Sequence, residues 1–263
     1  MEDEFGIESK DGLFVSFSND PVGVIDVIGL APVSYEFTRW ERRTITKPVG
    51  GYDKKGRPRG NMRECKENYE NCTLTVRVRL NLKYRDDFKQ KNLIWTKKKK
   101  EEWEEKAKSV VEGYFNSLSL KCYARDGGCK MCKDGVAIKL ELIFGTGARI
   151  DVSNDPNLQS YINGRRNRGR LDVADVEKHR KVTDTDQVPI VHEIGHILGL
   201  DHPGGVSNSI DAYKADVNSL MGGGMEMRPH DFDKAFCSKI KASDFGYGSE
   251  TIKCKKWKSK SIR

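Results

Sequence analysis

No stretch of this 263-residue chain stays apolar for long. A helical membrane span needs ~18–20 consecutive apolar residues, and the longest candidate, residues 22–33, is broken by Asp26 and several glycines. The start, MEDEFGIESK, is acidic and lacks the basic and apolar regions of a secretory signal, so an exported form of this chain would leave the cell by a specialised route. Histidine is scarce, at five residues, and neither an RNP-like aromatic motif nor a zinc-finger spacing occurs. These absences remove a membrane span and the common nucleic-acid-binding modules from the expectations.

Charge, by contrast, is plentiful. Asp, Glu, Lys and Arg make up 33% of the chain, against about 25% in an ordinary globular protein. The 47 Lys and Arg exceed the 39 Asp and Glu, for a net charge of +8. The positive residues form separate clusters: Lys97 to Lys100, then Arg165, Arg166, Arg168 and Arg170, then a tail of Lys253, Lys255, Lys256, Lys258 and Lys260. Each reads as a solvated face or, alternatively, as a surface for an anionic partner. The length suffices to bury a core without disulfides or metals as staples.

The seven cysteines cannot all pair within one chain, so at least one is free, metal-bound or intermolecular. Local disulfides joining Cys122 to Cys129 or Cys132, or Cys65 to Cys72, are the leading options. A second metal held by Cys122, Cys129 and Cys132 lacks a recognisable fourth ligand.

Strict alternation over residues 72–84, with Cys72, Leu74, Val76, Val78 and Leu80 against Thr73, Thr75, Arg77 and Arg79, predicts a strand with one buried face. Spacings of three and four between Trp103, Ala107, Val110, Val111, Tyr114 and Phe115 predict a helix over 98–117. A second alternating strand follows over 136–144 and a short one over 149–152. Residues 154–184 read as polar loop with an edge strand near Tyr161. A helix is expected over 187–198, with Thr185 or Asp186 as N-cap and Pro189 in its first turn, and a last helix over 229–240. A Gly, Lys and Arg-rich stretch over 47–63 resembles a linker. This order gives an α+β fold with a mixed twisted sheet, an active-site helix and a C-terminal helix. The boundaries are an N-terminal segment over 1–60 and a catalytic domain over 61–263.

The chemistry sits in residues 192–202, His-Glu-Ile-Gly-His-Ile-Leu-Gly-Leu-Asp-His. On a helix His192 and His196 stack on one face, where both imidazoles reach one ion. Gly199 can end the helix in a left-handed conformation and turn His202 back as the third ligand. Three neutral imidazoles leave a position open for water, the arrangement of catalytic zinc. Glu193, beside the first ligand, serves as general base toward the zinc-activated water and later delivers the proton to a leaving amine. Asp201 shapes the turn or hydrogen-bonds a ligand imidazole. His230 reads as a capping or surface residue, and His179 is the one remaining histidine.

The pattern HExxHxxGxxH resembles the metzincin clan of zinc endopeptidases. Ser219, Leu220, Met221 and Gly222 are similar to the clan's methionine-containing turn, and the resemblance makes Met221 a packing residue beneath the zinc. It spans roughly residues 70–245. Gly223 stands where some members supply a tyrosine, so no such tyrosine carries over. Cys65 is a weak match to the inhibitory cysteine of some zymogens. Residues 13–30, LFVSFSNDPVGVIDVIGL, resemble the end of an Rhs-type repeat core, which in that family precedes a variable C-terminal toxin; Val27 replaces the usual proline.

Together these resemblances imply a Zn²⁺ endopeptidase, secreted or delivered as an effector toxin that acts on target-cell proteins, with a protein or peptide substrate and a cognate immunity protein as partners, and with no nucleic acid. A peptidase acting on cell-wall peptides and a non-catalytic zinc-bearing binding module are the alternatives.

Overall fold

The alternating stretch becomes the central strand of the sheet in the computed structural model, which describes residues 31–40, 45–48, 53–57, 59, 62–65, 70–86, 94–124, 132, 135–156, 158–177, 180–181, 186–205, 215–240 and 252–257. In chain order the elements are β1 (Val33–Trp40), β2 (Ile45–Pro48), β3 (Met62–Cys65), β4 (Glu70–Arg85), α1 (Lys97–Asn116), β5 (Ser119–Ala124), β6 (Val136–Phe144), β7 (Ala148–Ser153), β8 (Tyr161–Asn163), β9 (Arg168–Asp172), β10 (Arg180–Lys181), β11 (Asp186–Gln187), α2 (Pro189–Ile197), α3 (Pro229–Ala235) and β12 (Ile252–Trp257). The result is an α+β architecture with a mixed eight-stranded sheet.

The path through the sheet is β12-β5-β6-β4-β7-β9-β8, with β1 also paired to β4. β4 runs parallel to β6 and β7 and antiparallel to β1. Side chains alternate across a strand, so Leu74, Val76, Val78 and Leu80 of β4 are buried, while Arg77 on the other face pairs with Glu36 and Glu141 at 2.8 and 2.9 Å. Helix α1 makes the crossover between parallel β4 and β6, as the alternation of strand and helix predicted. Its residues Trp103, Ala107, Val111 and Phe115 recur every four positions and are buried. Thr96 caps its start by accepting a hydrogen bond from the Lys99 amide at 3.2 Å.

β5 pairs with β6 only at Ser119↔Ala137 and Leu120↔Val136, which leaves amides farther along β6 needing acceptors. α1 supplies them: Asn116 Oδ1 accepts from Leu140 N at 2.6 Å and Glu112 Oε1 from Leu142 N at 2.8 Å. Helix side chains thus satisfy a strand edge that no strand covers.

Several expectations change. Residues 119–124 form β5, a strand for which the sequence pattern raised no expectation. β9 emerges from the polar stretch read as loop, because it runs parallel to β7 and its backbone is held from both sides. The last helix stops at Ala235 and continues as a 3₁₀ turn over Cys237–Lys239. β2 and β3 at the two ends of the 47–63 stretch pair with each other, and β1 ties the chain before residue 60 to the sheet. The Rhs-like residues 13–30 lie outside the described residues.

The disulfides are corrected too. Cys72 bonds Cys132 across 60 residues of sequence, which excludes the Cys65–Cys72 and Cys122–Cys132 pairs; Cys122 is disulfide-bonded as well, and Cys129 lies outside the described residues. Both bonded cysteines of the first pair are buried. Cys237 is a free buried cysteine whose thiol burial pushes up to about 12, which makes it inert. No helix among the described residues is long and apolar enough to cross a membrane.

Phe115 is fully buried where α1 meets the sheet, and its ring meets Phe236 edge-on at 6.2 Å. Phe115→Ala is expected to cost about 3–5 kcal/mol of stability, measurable by chemical denaturation.

Candidate metal centre

Helix α2 carries the motif. It begins at Pro189, two residues later than the sequence suggested, because Asp186 and Gln187 are spent in β11. Its N-cap is Val188, which offers no side-chain bond. The helix ends as expected: Gly199 is left-handed at φ 86°, Leu200 N donates to Gly195 O at 2.9 Å and Gly199 N to His196 O at 3.1 Å. This pair of reversed bonds is the Schellman termination, and it swings the chain back over the helix.

His202 consequently returns to the face that His192 and His196 share. Its Nε2 lies 3.2 Å from the Nε2 atoms of both. The other ring nitrogens are committed elsewhere, as His192 Nδ1 donates to Leu220 O at 2.7 Å and His196 Nδ1 to Leu200 O at 2.9 Å. A carbonyl only accepts, so each Nδ1 holds the proton and each Nε2 turns a lone pair inward. Burial lowers the His196 pKa to about 4, so that imidazole is neutral near neutral pH. Lone pairs aimed at one point from neutral rings repel unless a cation sits between them. The donor set therefore fits a metal ion of the kind imidazole favours, with ligand atoms within 4.8 Å of one another.

Glu193 is 2% exposed. It lines a small open pocket together with His196, His202, Gln159, Ser160, Tyr161 and Ile162. The last two of these belong to β8, the final strand on the sheet path. The turn after β8 is pressed on α2 so closely that a Cβ on Gly164 would lie 2.1 Å from His196 O. Buried Asp175 fixes the approach to β8: its carboxylate accepts from Ser160 Oγ and, at 2.7 Å, from Asp172 N.

Met221 is 1% exposed, and a Cβ on Gly195 would stand 2.6 Å from its Sδ. The methionine thus packs into the space beneath α2 that the motif glycine leaves, and any larger residue there would have to displace its side chain. No protein-family model, curated protein or solved structure matches the chain. The centre stands on its own chemistry.

Sequence reasoning missed Gln187. Its side chain is 1% exposed, and its Nε2 lies 3.0, 2.7 and 3.2 Å from the carbonyl oxygens of Leu220, Gly222 and Gly224. It clasps the methionine turn to the start of α2, beside the His192 ring. A buried amide just ahead of a helix-opening proline was the only available signal. Tyr114 also anchors this loop from α1, its hydroxyl donating to Met225 O at 2.6 Å.

The other described candidates make no hydrogen bond to the ligands. Asp201, expected to shape the turn or to hydrogen-bond a ligand imidazole, lies in the turn before His202 and close enough to His196 for their charges to interact, but its carboxylate accepts from Lys234 Nζ at 2.6 Å and is largely exposed. His230 is exposed beside Asp231, as a surface histidine should be, and His179 lies outside the described residues.

Two outcomes follow from the loop's anchors. Gln187→Leu takes the amide donor from the buried carbonyls of Gly222 and Gly224 and leaves Leu220 O to His192 alone, and should lower metal affinity about 10–100-fold, read by competition with a chromogenic chelator. Arg228 binds Asp216 through Nε at 2.6 Å and through Nη2, holding that carboxyl below its usual 3.8. A depressed folded pKa gives stability that is present above the unfolded value and lost as pH falls through the folded one. The gap in melting temperature between the wild type and Arg228→Leu should therefore be full at neutral pH and close below about pH 4.

Proposed function

We propose that the chain is a zinc-dependent endopeptidase with a metzincin-like catalytic domain. The observation that carries this reading is the convergence of three imidazole Nε2 atoms beside a pocket that Glu193 helps to line. The methionine packed against the motif glycine, the strand, helix, strand order before α2 and the helix after the turn support the same resemblance. Bound to three imidazoles with a position open, Zn²⁺ would acidify water toward neutral pH and polarise a carbonyl oxygen.

The chain's own groups do the rest. Glu193 takes the proton of the attacking water on a carboxylate oxygen and passes it to the leaving amine nitrogen. Its seclusion from solvent keeps the proton within the site. β8 pairs only with β9 among the described residues, so its other edge can take an extended peptide as an added strand and lay it across the pocket. The effector part of the proposal, with delivery into target cells and an immunity protein as partner, rests on the resemblance of residues 13–30.

The test is hydrolysis of denatured protein, with and without chelator, alongside zinc content. Glu193→Gln should keep its zinc and lose about 10²–10⁴-fold in rate. A zinc-loaded wild type that cuts no protein, or a Glu193→Gln variant as active as the wild type, would overturn the reading; cleavage confined to peptidoglycan would favour the cell-wall alternative.

A further inference from the structure

The arginine cluster read from the sequence as either a solvated face or an anion-binding surface lies on the β8–β9 hairpin, whose Tyr161 and Ile162 line the pocket. In the β8–β9 hairpin Tyr161 faces Arg170, Ile162 faces Gly169 and Asn163 faces Arg168. Cross-strand partners share a face. Tyr161, Asn163, Arg168 and Arg170 therefore point one way, and buried Ile162 and Gly169 the other. Gly164–Arg166 is the turn that abuts His196 O. Arg165 is near enough to Asp201 to contribute to the lowering of its carboxyl pKa. Arg149 on β7 sits beside Arg168.

The exposed arginines of this cluster form no ion pair with a described residue, and the Asp201 carboxylate acts on Arg165 only from beyond ion-pair distance. Arg77 pairs with Glu36 and Glu141, Arg228 with Asp216 and Glu226, and Lys97 and Lys98 with Glu101 and Glu102. The exposed arginines are Arg149, Arg165, Arg166 and Arg168. Arg170 is held in place, its Nε and Nη2 3.4 and 3.2 Å from Gln159 O and its guanidinium 5.6 Å from the centre of the Tyr161 ring. Like charges gathered without partners repel one another, so the hairpin carries a cost that an anionic ligand would relieve.

We propose that this hairpin makes the site selective for acidic peptide segments: an extended chain on the free edge of β8, with Asp or Glu side chains meeting Arg165, Arg166 and Arg168. This rests on the peptidase reading and names its substrate class. A strand added to β8 would lie ~10 Å from β9, two strand spacings away, a gap that an arginine and a glutamate close together. The free strand edge favours a peptide over a nucleic acid, since it offers amides and carbonyls in register. Tyr161 is a single aromatic with Arg170 over its ring, not the succession of aromatics on which consecutive bases stack.

The experiment uses fluorescent peptides of one neutral scaffold bearing Glu, Gln or Lys at alternate positions. Binding is measured by anisotropy on zinc-loaded Glu193→Gln protein, and cleavage on the wild type. The Glu peptide should bind about tenfold or more tighter than the Gln peptide, and the margin should shrink as salt rises from about 0.05 to 0.5 M. Combined Arg165→Glu, Arg166→Glu and Arg168→Glu should abolish the preference, the corresponding lysine changes should retain most of it, and Lys97→Glu with Lys98→Glu should leave it intact. Equal binding of the Glu and Gln peptides would overturn the proposal, as would displacement of the Glu peptide by duplex DNA at lower concentration than by unlabelled Glu peptide. Selective binding without cleavage would uphold it and count against the peptidase reading, and cleavage without charge preference would do the reverse.

Discussion

The carbonyl oxygens of Leu200 and Leu220 take the Nδ1 protons of His196 and His192, and in doing so decide which nitrogen each ring turns to the centre. Neither oxygen belongs to a side chain, so the ligand geometry depends on where two stretches of backbone run. Leu200 is placed by the left-handed glycine that ends α2. Leu220 is placed by the methionine turn, which returns to the helix from more than twenty residues downstream. The site is only as well aligned as those two stretches.

The turn is accordingly held from several directions at once. Gln187 grips its carbonyls from the start of the helix, Tyr114 reaches it from α1, and the Asp216–Arg228 pair closes its base. Met221 fills the space that Gly195 leaves. Few of these contacts are worth more than about a kilocalorie singly, yet each removes one way for the loop to drift. On the opposite flank the hairpin turn bears on the His196 carbonyl, so that β8 and the helix keep a fixed separation.

Much of this was readable in the sequence, and the reasons for the misses are specific. The alternation of β4 and β6, the four-residue spacing in α1 and the HExxHxxGxxH motif are local patterns in which one element's burial writes its own period. β5 and β9 are short, and their strand character comes from neighbours distant in sequence. The residues RGRLD of β9 contain a glycine where the hairpin strands approach closely and arginines where they face water, which in isolation looks like loop. Gln187 was invisible because its function lies in carbonyls that the fold brings from residues 220–224. The cysteine pairs failed for a similar reason, since proximity along the chain was a poor guide to proximity across the sheet.

The Cys72–Cys132 bond joins the start of the central strand to the segment that leads into β6. It thereby closes, in covalent form, the whole excursion through α1 and β5. Parallel pairing normally demands that two distant segments find each other before either gains a contact; here that encounter, once oxidised, cannot be undone. β1 and the β8–β9 hairpin fall outside the closed loop. The covalent tie therefore secures the middle of the sheet, while these outer strands depend on pairing and packing alone.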